Sequence, residues 1–374
     1  MTKDAPSPQL ARLSKALLSS SEPLSARFRA LFTLKNLAVT DASLTEDVIT
    51  LLGESFADDS ALLKHELAYC LGQIADLRAV PKLERVVQDK SQDVMVRHEA
   101  AEALGAISSL GSLPLLKQYE KAEGEDSSVR ETCELAIRKI EWDHSEEGKK
   151  ARELDALAKK KAAEAPGNGA AHQSFAPIDP APALLTAKAS QSSGQAKAAA
   201  SSLSSLDPED YDIPSLQSQL TNGSLPLFDR YRAMFSLRNA IHACSRAAEK
   251  ASASQSSSAG PLHQKAEQAV LALAAGLNKS EKSALFRHEI CFVFGELCHK
   301  ASIPAMLDVL NDNEEHEMVR HEAAEALGGI AEEAEEEQEA QKDAESGELK
   351  SVMQALTKWA NDMQAPRVVR ESCV

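Results

Sequence analysis

Four adjacent histidine–glutamate pairs recur in this chain: His65-Glu66, His98-Glu99, His288-Glu289 and His321-Glu322. Imidazole and carboxylate together are donors for divalent transition metals. Their spacing is regular, because His98 follows His65 by 33 positions and His321 follows His288 by the same 33. A fifth pair, His316-Glu317, falls outside that register and is set aside. Carboxylates crowded on one surface repel and raise each other's pKa, so four such pairs call for a bound cation. No cysteine accompanies the histidines, which disfavours thiolate zinc and iron–sulfur sites. Two histidines and one carboxylate per metal, with positions left open, is the donor set of non-haem Fe(II) oxygenases. A zinc or manganese centre that activates water is the chemical rival, and the residues leave that choice open.

The elements that carry the pairs are repeated helices. Residues 95–107, MVRHEAAEALGAI, return at 318–330 as MVRHEAAEALGGI, and the same shift of 223 carries SALLKHELAYCLGQ onto SALFRHEICFVFGE. RFRALFTLKN matches RYRAMFSLRN, and VRETC matches VRESC. A period near 33 residues is that of a solenoid of helix pairs, and four units per half are expected. Leu67, Leu71 and Ile74 recur as Ala100, Leu104 and Ile107, the spacing of one buried helical stripe. At about 100° per residue, His98, Glu99 and Glu102 lie about 120 to 160° from Leu104. The pairs therefore face away from the stripe, and neighbouring first helices can bring His65 and His98 to one point.

Composition narrows the alternatives. Only 4% of the 374 residues are aromatic, thin for a large β core, while alanine and leucine abound. A net charge of -16 disfavours a general nucleic-acid surface and suits a cationic substrate. The six cysteines, Cys70, Cys133, Cys244, Cys291, Cys298 and Cys373, form no C-x-x-C pair and read as reduced core thiols. No signal segment or membrane-length apolar run is present, so a soluble cytoplasmic chain is expected. Residues 1–142 and 207–374 are read as two arms, with 143–206, rich in Ala, Ser, Lys and Gly, as a low-complexity flexible linker. Insertions at 245–260 and 331–348 are read as solvated loops between the helices of a unit.

These strings closely resemble the deoxyhypusine hydroxylase family over about residues 20–142 and 207–374. The resemblance implies an all-α fold, a HEAT-like helical-repeat solenoid with two four-repeat arms facing each other around a central metal site. It implies an O2-dependent monooxygenase that hydroxylates the deoxyhypusine side chain of translation factor 5A, its protein substrate. Two iron ions (Fe2+) are implied as cofactors, one held by His65, His98 and Glu99, the other by His288, His321 and Glu322. Glu66 and Glu289 then grip the cationic amine of the substrate. No flavin or nicotinamide fingerprint occurs, so the reductant is an external electron donor. A monomer is expected, in the cytoplasm and extending to the nucleus, with no nucleic-acid or membrane partner. The chain departs from the pattern at its end, RVVRESCV, where the first half continues as RETCELAIRKIEW, so a shortened last helix and a less stable second arm are expected. Two rivals remain: a non-catalytic HEAT-repeat scaffold that binds a protein segment and retains no metal, and a relative of the helical-repeat bilin lyases, which predicts a tetrapyrrole adduct.

Overall fold

A computed structural model describes residues 8–153, 156, 177–184, 207–341 and 347–374, apart from the side chains of 335–341. Helices and short 3-10 turns account for the regular structure, with no strand among the described residues. The chain divides into two compact units, Met1–Ile140 and Glu141–Cys373, each described by itself.

The first unit contains α1 (Pro8–Leu18), α2 (Leu24–Thr40), α3 (Thr45–Glu54), α4 (Ala61–Ile74), α5 (Val80–Gln88), α6 (Val94–Ile107), α7 (Leu113–Glu120) and α8 (Ser127–His144), the last crossing its boundary. α2, α4 and α6 pack side by side, and the intervening helices back them. Leu67, Leu71, Ala100 and Leu104 are fully buried, as the stripe requires, while Ile74 is partly buried. Each buried leucine contributes about 1.5–3 kcal/mol through apolar area removed from water.

A small-residue contact sets how closely these helices approach. A Cβ added to Gly72 on α4 would stand 2.9 Å from Cα of Ala103 on α6, and one on Gly105 would stand 3.1 Å from Cα of Ala136 on α8. No larger residue fits at Gly72 without moving backbone.

The second unit repeats the plan with α9 (Ile213–Thr221), α10 (Leu227–Ala253), α11 (Ala259–Ala274), α12 (Ala284–Leu297), α13 (Ile303–Asn311), α14 (Glu317–Gln341), α15 (Gly347–Asn361) and α16 (Arg367–Ser372). α10, α12, α14 and α16 form one layer, with α9, α11, α13 and α15 behind. The corresponding contact is looser here, since a Cβ added to Gly295 would stand 3.5 Å from Cα of Ala326. α16 spans 6 residues against the 18 of α8.

Three segments differ from the sequence reading. α10 continues to Ala253 and α14 to Gln341, so much of each insertion is helix rather than loop; the helix-forming Ala, Glu and Lys in both runs favour this outcome. Residues 342–346 of the acidic run lie outside the described residues. Within the 143–206 linker, Pro177–Leu184 is packed against α10: Arg238 donates to both oxygens of Asp179 at 2.7 and 2.6 Å, and Arg232 Nε donates to the Pro182 carbonyl at 3.1 Å. The Leu184 amide donates to Ser236 Oγ at 2.8 Å, and Ala181 is fully buried. Arg238 also donates to Glu296, whose carboxyl burial pushes up to about 7 against the pull of that guanidinium. Residues 154–155, 157–176 and 185–206 of the linker lie outside the described residues. No described helix is long and apolar enough to cross a membrane.

The unequal glycine contacts make a direct comparison possible. Gly72→Ala should lower stability by up to about 2 kcal/mol, because overpacking of about 1–3 kcal/mol outweighs about 1 kcal/mol of helix propensity. Gly295→Ala should be neutral or stabilising. Thermal denaturation followed by circular dichroism separates the two, and equal melting temperatures for both variants would show that α4 and α6 have no fixed separation.

Candidate metal centre

Each histidine of the four pairs stands five residues beyond the cap of its helix. Ser60 Oγ accepts from the Leu63 amide, Asp93 from Met95 and Ser283 from Phe286, at 3.1, 2.9 and 3.0 Å. On α14 the cap is His316, whose Nδ1 accepts from the Met318 amide at 3.2 Å. This is the role of the out-of-register pair: His316 starts the helix that carries His321.

On four helices an arginine just before the pair position reaches back to a carbonyl of the preceding helix and fixes the rotation. Arg97 Nε donates to the Val87 carbonyl at 3.0 Å, and its other nitrogens hold Glu125 at 2.7 and 2.9 Å. Arg27 repeats this with Leu17 and Asp58, and Arg230 with Leu220 and Glu281. Arg320 reaches the Leu310 carbonyl at 3.1 Å and lies over the Trp359 ring. The hydrogen bond from Arg97 holds the Glu125 carboxyl below its ordinary value. Adjacent helical residues diverge by about 100°, so tying Arg97 to one side sends His98 to another. The sequence reading missed this ladder. Its signal is visible in RFR, KHE, RHE, RYR, RHE and RHE at the equivalent positions.

In the first unit His65, His98 and Glu99 come together, with one ligand atom from each lying within 4.8 Å of the others. His65 Nε2 is 3.3 Å from Glu99 Oε2, so the imidazole of one repeat meets the carboxylate of the next. The rings of His65 and His98 have centroids 5.5 Å apart. Glu66 lies on the other side of His65, with Oε1 at 3.0 Å from Nδ1. The second unit copies the crossing, with His288 Nε2 at 3.2 Å from Glu322 Oε2 and the His288 and His321 rings 5.4 Å apart. His321 Nε2 is 3.9 Å from the same Glu322 oxygen.

All these donors are buried: His98 and His321 are fully inaccessible, and His65, Glu99, His288, Glu289 and Glu322 are at most 5% exposed. Glu66 is half-buried. Burial opposes charge on His65, but Glu99 and Glu66 outweigh it and hold the imidazole pKa well above its ordinary value. Cys70 and Cys291 are buried with pKa values pushed well up by desolvation, as inert core thiols are. Two imidazoles and a carboxylate converging in a dry site suit a divalent iron, whose chemistry needs nitrogen and oxygen donors with positions left for other ligands. Sequence reasoning missed Glu325, which the structure groups with His321 and Glu322. The signal was its place one turn beyond His321 in HEAAE.

A family model described as HEAT repeats matches residues 45–138 and 270–373. The deoxyhypusine hydroxylase of Mycosarcoma maydis is 53% identical over 359 residues, covering 95% of this chain and 90% of that protein. That of Neurospora crassa is 43% identical over 369 residues, covering 98% of this chain and 90% of its own length. Among solved structures, human deoxyhypusine hydroxylase in complex with glycerol aligns with a TM-score of 0.66 and 37% identity, over 98% of this chain and 93% of that one.

The raised pKa of His65 carries a pH dependence. Its charged form is favoured until the pH passes that raised value, so a metal arriving at Nε2 must displace a proton. Affinity for Co(II), measured by competition with a fluorescent chelator, should rise with pH, about tenfold per pH unit for each proton released, and go on rising above the pH at which an ordinary imidazole has lost its proton. A flat profile would contradict this protonation state.

Proposed function

This chain belongs to the deoxyhypusine hydroxylase family, and from that premise we propose that it is a di-iron monooxygenase that hydroxylates the deoxyhypusine side chain of translation factor 5A. It uses O2 and an external reductant. The observation that carries the proposal is the buried trio His65, His98 and Glu99, together with the crossing repeated by His288 and Glu322. One iron is assigned to His65, His98 and Glu99, the other to His288, His321 and Glu322. When bound, iron supplies the redox chemistry that lets O2 oxidise an unactivated carbon, which no side chain here can do.

The protein's own contribution is orientation and charge. Glu99 and Glu322 each reach a histidine of the preceding repeat, so each donor set is assembled across two helices and inherits their packing. Glu66 holds the Nδ1 edge of His65, which directs Nε2 toward Glu99. Glu66 and Glu289 are also assigned to the cationic amine of the substrate. A carboxylate in a buried setting binds an ammonium group through a charge-assisted hydrogen bond, which fixes the side chain's depth and direction. Burial pulls the Lys35 pKa below its ordinary value, and the negative charge of Glu66 is among the effects that oppose this.

The test combines iron quantification on protein purified without chelator with mass spectrometry of the substrate. Two irons per chain and a single added oxygen on the deoxyhypusine residue are expected; a product without added oxygen would overturn the monooxygenase assignment. His98→Ala should lower iron content and abolish hydroxylation. Glu66→Gln and Glu289→Gln should retain iron while raising KM for the protein substrate about 10–100-fold, the worth of one charge-assisted hydrogen bond of about 1.5–3 kcal/mol. Unchanged KM in both variants would remove these carboxylates from amine binding.

A further inference from the structure

The two nitrogens of His321 face different carboxylates. Nε2 is 3.9 Å from Glu322 Oε2, the oxygen that also lies 3.2 Å from His288 Nε2, so this is the edge on which donors converge. Nδ1, on the opposite edge, is 3.6 Å from Oε1 of Glu325, one turn further along α14. That separation is in ion-pair range and just beyond a hydrogen bond. A small rotation about the terminal torsion of Glu325, which is soft, closes it.

Glu325 is itself held. Ser372 Oγ, on α16, donates to Glu325 Oε1 at 3.0 Å, so the last described helix reaches the residue behind His321. The hydroxyl that holds this carboxylate differs between the units. Thr132 occupies the register position of Ser372 in the first, and its hydroxyl donates instead to the Ser128 carbonyl of its own helix at 2.8 Å.

From this geometry we propose that Glu325 is a positioning residue for His321: it accepts a hydrogen bond from Nδ1–H, which fixes the tautomer and leaves the Nε2 lone pair for the metal, while Ser372 sets the rotamer of Glu325. The inference rests on the reading of His321 as a metal ligand. Metal-bound histidines are usually oriented in this way by a carboxylate on their second nitrogen, and loss of such a partner costs about 10–100-fold in metal affinity. His321 is fully buried whereas the Glu325 side chain is 34% exposed, so Glu325 sits at the rim of the site. The Ser372 contact thus links α16 to the metal-binding edge.

The experiment is a Co(II) titration of the full chain, comparing the unaltered protein with Glu325→Ala, Glu325→Gln and Ser372→Ala by affinity and by visible ligand-field spectrum. The unaltered chain should bind two equivalents. Glu325→Ala should weaken one of them about 10–100-fold and leave the other unchanged, with the bound spectrum preserved at saturation. Glu325→Gln should recover most of the loss, because its amide oxygen still accepts from Nδ1, and Ser372→Ala should fall between it and Glu325→Ala. Affinity in Glu325→Ala equal to that of the unaltered chain would overturn the role of Glu325 while leaving the metal centre intact. A changed spectrum, with Glu325→Gln as impaired as Glu325→Ala, would overturn positioning in favour of direct ligation. An unaltered chain that binds fewer than two equivalents would overturn the di-metal reading and this inference with it.

Discussion

The distance between neighbouring helices governs this site. Adjacent residues on one helix point about 100° apart, so a single pair such as His98-Glu99 supplies two donors that approach from different sides, and the third donor must come from the neighbouring helix. A histidine thus meets the glutamate of the next repeat, His65 with Glu99 and His288 with Glu322. Such a contact forms only where two backbones come close. In the first unit the glycine at 72, against Ala103, permits that approach, and the duplicated crossing in the second unit uses a slightly wider one. Packing and chemistry are thus one constraint: the helix faces opposite the apolar stripe are as dry as the core, and the ionisable groups they carry answer one another.

The arginine ladder adds the second element of control. A helix in a solenoid is fixed along its axis by its stripe, but rotation about that axis decides which way a histidine points. Arg97 settles it by reaching the Val87 carbonyl of the preceding helix and the Glu125 carboxylate of the following loop. His98, the next residue, inherits a direction. The same base stands before the outer pairs, where Phe28 and Tyr231 replace histidine. The ladder therefore belongs to the architecture, and His98 and His321 exploit it.

Much of this was legible in the residues. Period, duplication and the membership of the four pairs follow from exact register, because a repeated helix must repeat its directions. Which carboxylate meets which imidazole was less accessible, since that depends on helix separation, and a glycine in a helix does not announce its neighbour. Glu325 sits in plain view in HEAAE, yet its relation to His321 depends on Ser372, 47 positions further on. The insertions were misread as loops because their composition looked solvated, although their alanines and glutamates extend α10 and α14. Pro177–Leu184 reads as linker by composition, and only the encounter of Asp179 with Arg238 ties it to the solenoid.

The central claim is that nitrogen and oxygen donors from neighbouring repeats, and no sulfur, hold the metal. X-ray absorption at the iron edge of the loaded full chain tests this most directly. The account predicts the multiple-scattering signature of two imidazoles per iron with carboxylate oxygen in the first shell. Sulfur scattering at about 2.3 Å, the length of a metal–thiolate bond, or a first shell devoid of imidazole, would contradict it.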